Sequence, residues 1–231
     1  CAIMPNGCYA SEDIELYKDL VSKKLDTTDS YDKALRLYHL WGPHAGADFD
    51  RNMNYVKNVD PYEALLGDFT LIREYIDQMK EQGIYDDATI IITADHGLSG
   101  GTSDEKPLQI DSPVRTLMMV KPAGTKGQVG MTDYEAPVCH ADLFATVIDS
   151  FGGNTEDYGK TIFEYKEGEK RTRLYYHTMM YSDIDGEVAL REYAITGDSR
   201  DFDNWKLTGN YWDILYSERA VSRHRLSEVL D

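Results

Sequence analysis

Cysteine is scarce in this chain, positive charge is much scarcer than negative, and long apolar runs are missing. The 231 residues include 3 cysteines. Cys1, Cys8 and Cys139 show no metal-ligand spacing. Cys1 and Cys8 could pair in an oxidising compartment, but the odd third thiol argues against a disulfide framework, and unpaired thiols are expected. Cys139 precedes an apolar helical segment and reads as a small buried hydrophobe. Lys and Arg total 24 against 41 Asp and Glu, a net charge of -17. That balance argues against nucleic acid as a partner, and against docking on anionic lipid through the protein surface. An anionic substrate would therefore need local positive charge, from a metal or a few Lys, Arg and His. No stretch approaches the roughly 18 apolar residues of a membrane helix. Cys1-Ala2-Ile3-Met4 has neither the charged start nor the long apolar core of a signal peptide. The first residue is Cys rather than Met, so the expectation is a piece of a longer protein. Repeats and low-complexity stretches are also absent.

What remains is an ordinary globular composition, 42% hydrophobic and 28% charged, long enough for one large domain or a domain with an appendage. Ser11 to Leu25 reads as a helix, with Ser11 as cap, Glu12 and Asp13 in the first turn, and Ile14, Tyr17, Leu20 and Val21 as its stripe. Leu35 to Trp41 reads as a strand running into the Gly42-Pro43 turn. Asp60 caps a long helix opened by Pro61, with Leu65, Phe69, Ile72, Ile76 and Met79 as the buried face and Gly83 as its end. Ala88 to Ile92 is a β-branched run, expected as a buried parallel strand. Strand, helix and strand in that order form a right-handed crossover, which would bring His44 and residues 95–96 to one crevice. Val114 to Val120 reads as a further strand and Lys121 to Asp133 as a surface loop. Ala141 to Phe151 reads as a helix burying Leu143, Phe144, Val147, Ile148 and Phe151, ended by Gly152-Gly153. Segments around Arg173–Met180, Val188–Thr196 and Trp205–Thr208 alternate and are Tyr-rich, as in an antiparallel subdomain. Ser217 to Leu230 is expected to be helical.

Thr93-Ala94-Asp95-His96-Gly97-Leu98 follows the Ile90 strand directly. Open α/β sheets bind their ligands at the carboxyl ends of strands. Carboxylate and imidazole both suit a divalent cation such as zinc or manganese, and Gly97 permits a sharp turn. The plainer alternative is an Asp capping the loop with a His packed on it.

Several motifs recur in a fixed order. Gly83-Ile84-Tyr85-Asp86-Asp87-Ala88-Thr89, the strand and Asp95-His96-Gly97 follow the long helix. Tyr38-His39-Leu40-Trp41-Gly42-Pro43-His44 precedes it. Lys106 stands nine residues before Arg115. Cys139-His140-Ala141-Asp142-Leu143-Phe144-Ala145-Thr146-Val147-Ile148-Asp149 closes the set. The ordered set, spanning about residues 35 to 165, resembles the alkaline phosphatase superfamily, in its sulfatase, phosphoethanolamine transferase and lipoteichoic-acid-synthase-like branch. The resemblance implies an α/β fold, a mostly parallel sheet flanked by helices, N-terminally truncated, with a small antiparallel C-terminal subdomain. It divides the chain into residues 1–165, the C-terminal part of a catalytic domain, and 166–231, the subdomain. It implies that Asp95 and His96 bind one divalent metal ion (Mn, Zn, Ca or Mg), and that His44 and Lys106 contact the transferred phosphoryl or sulfuryl group. A metal and fixed cations are what such a tetrahedral anion needs, and His44 could serve as an acid.

Other residues keep two readings each. His39 is a substrate contact or a buried strand residue, and Lys106 an anion contact or a solvated loop lysine. His140 is a second metal ligand or packs at a helix start. Arg115 holds the sheet edge or an ion pair rather than substrate. The family's nucleophile, a Thr, Ser or modified Cys, is not recognisable here, and Cys1-Ala2-Ile3-Met4-Pro5 is not the sulfatase "C-x-P-x-R". No His lies between Leu98 and Gln109, which favours one metal over two. The parent is thus expected to be a hydrolase or transferase of an anionic ester, lipid- or glycan-linked, acting outside the cell on a membrane anchor that precedes this chain. The fragment alone is expected to be inactive, and its oligomeric state is open. The rival of another class is an inert or envelope-polymer-binding domain, with Tyr175, Tyr176, Tyr181 and Tyr193 stacking on sugar or simply packing the sheet.

Overall fold

The computed structural model describes residues 10–27, 32–44, 46–97, 116–126, 130–179, 188–214 and 221–225. In chain order these form α1 (Ala10–Lys23), α2 (Pro61–Glu81), β1 (Ile90–Thr93), β2 (Met118–Lys121), α3 (Ala141–Ser150), β3 (Thr172–Met179), β4 (Val188–Thr196), β5 (Trp205–Ile214) and β6 (Val221–Arg225). β1 pairs with β2, and β3 to β6 form a four-stranded sheet in sequence order. The fold is α/β, as expected. Among the described residues no helix is long and apolar enough to cross a membrane. The chain divides into two compact units, Cys1–Ile92 with Met119–Val129, and Thr93–Met118 with Gly130–Asp231.

In the first unit, α2 starts as the sequence dictates. The Asp60 carboxylate accepts from the Tyr62 N–H at 2.8 Å, and Pro61 needs no acceptor. Its buried face is rotated from the expected one. Ala64, Gly67, Asp68, Leu71, Gln78 and Met79 are buried, while Leu65, Phe69, Ile72 and Ile76 are half-buried. Close packing selects the face. A Cβ on Gly67 would stand 2.7 Å from both the Asp50 carbonyl and the Phe49 ring, so only glycine admits the 47–53 loop. Phe49, fully buried, centres a core of Ile14, Ala47, Met53, Ala64 and Leu71; such a side chain contributes about 1.5–3 kcal/mol. Leu20, Leu25 and Met79 form a second cluster, against which Tyr75, Tyr85 and Ile90 pack.

α1 starts before Ser11, which therefore lies in the first turn rather than at the cap. Ile14 and Leu20 are buried, but Val21 faces solvent. Leu35 to Trp41 is not a strand. Leu35, Leu37 and Tyr38 are all exposed, and among the described residues the run has no sheet partner, so the expected crossover is not formed there. His39 accordingly lies exposed outside any strand. The Gly42-Pro43 turn is present, with Gly42 at φ 57°.

In the second unit, α3 buries Asp142, Ala145 and Thr146. Phe144 and Phe151 are exposed instead of buried; Phe144 packs edge-on against Tyr158 at 5.0 Å. The helix is held from its polar side. The Thr146 hydroxyl donates to the Asp142 carbonyl at 2.7 Å and accepts from the Ile162 N–H at 2.9 Å. The subdomain sheet is antiparallel, with Tyr175 opposite Tyr193 and Ile195 opposite both Arg173 and Trp205. Tyr193, Ile195 and Trp205 are its buried centre, with Tyr175 and Phe202 against them. Tyr175 and Trp205 meet edge to face at 5.5 Å. Tyr175 and Tyr193 are therefore packing residues, Tyr176 faces solvent, and Tyr181 lies outside the described residues. β6 occupies part of the segment expected to be helical: each of its residues pairs antiparallel with one of β5, with Tyr211 opposite His224.

Candidate functional site

β1 delivers Asp95 and His96 at its carboxyl end. The Asp95 Oδ1 accepts from the His96 N–H at 2.8 Å, which holds the carboxylate beside the ring. The His96 Nδ1 lies 2.6 Å from the Gly97 carbonyl. A carbonyl can only accept, so Nδ1 carries a proton, and in the neutral form of the ring Nε2 is the nitrogen with the lone pair. That lone pair lies 3.6 Å from the Asp95 Oδ2, with both side chains open to solvent. Two donors at that separation can each reach one divalent ion at about 2.0–2.2 Å, and a ring N–H held by a backbone carbonyl is the usual orientation of a metal-binding His. The pair fits a metal. Among the described residues no group of three or more His, Cys, Asp and Glu comes together to hold one.

Thr93, two residues earlier, was not marked by its sequence. Its hydroxyl is 2.7 Å from the Leu117 carbonyl, to which it must donate. It then accepts from the His140 Nε2 at 3.0 Å, and the Thr116 hydroxyl lies 3.3 Å from the same nitrogen. His140 is thus engaged through Nε2 with two threonines at the start of α3. This contact matches the packing alternative at the start of α3.

Asp142, one turn on, is nearly buried and receives two bonds from the Arg171 guanidinium, 2.7 and 2.8 Å. It also accepts from the Cys139 N–H at 2.8 Å. Arg171 lies over the Tyr165 ring at 4.2 Å, and the Asp142 charge raises its pKa. The half-buried Cys139 thiol is free and 3.8 Å from Arg171. Cys1 and Cys8 lie outside the described residues, as do Lys106 and Arg115.

His44 belongs to the first unit. It follows the Gly42-Pro43 turn, is exposed, and its ring sits 4.3 Å from that of Trp41. Asp13 reaches this turn from α1: its Oδ2 accepts from the Trp41 and Gly42 N–H groups at 2.9 and 3.0 Å. Asp68 reaches it from α2, against Gly42. Asp13 reads in sequence as a helix-start acid and Asp68 as part of a polar face, and neither position carries a signal of burial.

The fold is α/β, with an Asp-His pair just past the end of β1. The Sulfatase family model matches residues 18–153; the chain belongs to that family, within the alkaline phosphatase superfamily. Among solved structures, it is similar to the sulfatase candidate yidJ from Bacteroides fragilis, at 19% identity and a TM-score of 0.40. That alignment covers 87% of this chain and 43% of the other, so the chain spans less than half the length of that protein. No curated protein matches the chain.

Proposed function

We propose that the protein to which this chain belongs is a metal-dependent hydrolase or transferase of phosphoryl or sulfuryl esters. The observation that carries this reading is the Asp95-His96 pair, with His96 fixed by Gly97 so that Nε2 and a carboxylate oxygen face one point. A divalent ion there would draw charge from the tetrahedral anion and polarise its ester bond. His44 contacts that anion or protonates the leaving oxygen, and Lys106 contributes a fixed positive charge. The reading uses a Thr, Ser or modified-Cys nucleophile not recognisable among residues 1–231. Family membership supports an anionic ester as substrate. We further favour the transferase-like branch, with the enzyme anchored at the outer face of the cell membrane and the catalytic part ending near residue 165.

Calorimetric titration of the chain with Mn²⁺ and with Zn²⁺ tests the metal assignment. Binding by the native chain that disappears in Asp95→Ala/His96→Ala is expected. Equal binding by both would remove Asp95 and His96 from the site. Turnover of an aryl sulfate against an aryl phosphodiester by the full-length protein then separates a sulfatase from a phosphoryl transferase.

A further inference from the structure

Two helices of the first unit each send a buried carboxyl group to the same four-residue turn. Asp13 of α1 is 3% exposed and Asp68 of α2 is 6% exposed. The Asp13 Oδ2 accepts both turn amides, from Trp41 and Gly42. The Asp68 Oδ2 lies so close to Gly42 that any Cβ there would collide with it, and its buried Oδ1 has no hydrogen-bond partner among the described residues. We propose that Asp13 and Asp68 form a two-carboxyl clamp on the Trp41–His44 turn, making Asp68 a positioning residue for His44.

Two carboxylates facing one turn away from water cannot both ionise at low cost. The donors decide which one does. Burial, the largest effect, raises the Asp13 carboxyl and Glu12 adds to it, while its two backbone N–H donors from Gly42 and Trp41, and His39, pull it down. Asp68 has no such donors, and burial together with the Asp13 charge pushes it up to about 8. Around neutral pH the pair is therefore one carboxylate and one carboxylic acid, and it carries a single negative charge. Ionisation of Asp68 would put two anions against Gly42. The turn then moves from one or both, and the His44 ring, held 4.3 Å from Trp41, moves with it. The consequence for catalysis rests on the anion-contact role proposed for His44; the clamp itself does not.

The test is side-chain NMR of this chain between pH 6 and 10, following the Trp41 indole and the His44 imidazole C–H signals. In the native chain both should shift in a transition within about one unit of pH 8, separate from the imidazole's own titration. Asp68→Asn keeps the shape and removes the charge. It should leave the pH 6 spectrum nearly unchanged and abolish the alkaline transition. Asp13→Asn should displace the Trp41 and His44 signals at every pH. An alkaline transition that survives in Asp68→Asn, or is missing from the folded native chain, would overturn the clamp. Should Asp68→Asn not fold, the carboxyl ¹³C signal of Asp68 in the native chain decides instead, since a midpoint near 4 sinks the proposal. Failure of metal binding at Asp95 and His96 would sink the functional reading and leave these spectra as they are.

Discussion

Arg171 grips Asp142 through two N–H···O bonds while its Cζ lies 4.2 Å from the centre of the Tyr165 ring. The Asp142 side chain is only 5% exposed and that of Arg171 22%. Such a pair is weak evidence of net stability, but breaking one side leaves a buried charge alone. Arg171→Ala should therefore cost about 3–5 kcal/mol in urea unfolding, and Arg171→Lys should recover only part, because a point charge cannot make the paired fork. If Arg171→Ala unfolds at the same urea midpoint as the native chain, Asp142 is held well enough by the Cys139 amide alone.

Gln78 ties the end of α1 to α2. Its Oε1 accepts from the Leu25 N–H at 2.7 Å, and its Nε2 donates to the Leu20 carbonyl at 3.0 Å and to Glu74 at 2.7 Å. At 2% exposure, its removal leaves a buried donor and acceptor unpaired, each worth roughly 1–3 kcal/mol. Gln78→Leu should destabilise by about 2–4 kcal/mol despite its greater hydrophobicity. Hydrogen exchange at the Leu25 amide should quicken more than exchange in the middle of α2. Uniform quickening across the unit would show that the bond is not what anchors that amide.

These two residues also explain what could and could not be read from the chain. Caps and turns obey local chemistry, so Asp60, Pro61, Gly83 and the Gly42-Pro43 turn were legible. So was the antiparallel subdomain, whose alternation reflects one buried face. The Asp95-His96 contact was legible because Asp95, His96 and Gly97 are consecutive. Long-range pairing was not. Leu35–Trp41 has strand composition without a partner, and Phe144 has core composition at an exposed position. Gln78, Asp68 and Asp142 are buried polar residues, which hydrophobic periodicity assigns to solvent. Thr93 matters only because Leu117 and His140 come back to it from distant sequence.

Gly42 should tolerate no side chain, for two separable reasons. Its φ of 57° is left-handed, which costs a non-glycine residue roughly 1–2 kcal/mol, and a Cβ would collide with Asp68. Gly46, at φ 89° with nothing near its Cβ, pays for conformation alone. Gly42→Ala should thus lower the melting temperature distinctly more than Gly46→Ala. Adding Asp68→Ala to Gly42→Ala should restore less than the whole loss. Equal shifts for the two alanine variants would mean that Asp68 swings away freely.

Asp68 should also set how stability depends on pH. Its folded pKa is pushed up to about 8, whereas an unfolded Asp titrates near about 3.9. Between those values the folded chain holds a proton that the unfolded chain has lost, so stability falls as pH rises. The stabilising proton is fully present below about pH 4, and its benefit is gone above about pH 8, with a limiting slope of about 1.4 kcal/mol per pH unit. Asp13, also raised, works in the same direction, while exposed carboxylates held low by arginine, such as Glu63 beside Arg51, affect only the acid end. Urea midpoints measured from pH 5 to 9 should drop for the native chain, and Asp68→Asn should flatten the curve and become the more stable protein near pH 9. Parallel curves for the two would mean that Asp68 ionises as an ordinary surface carboxylate despite its burial.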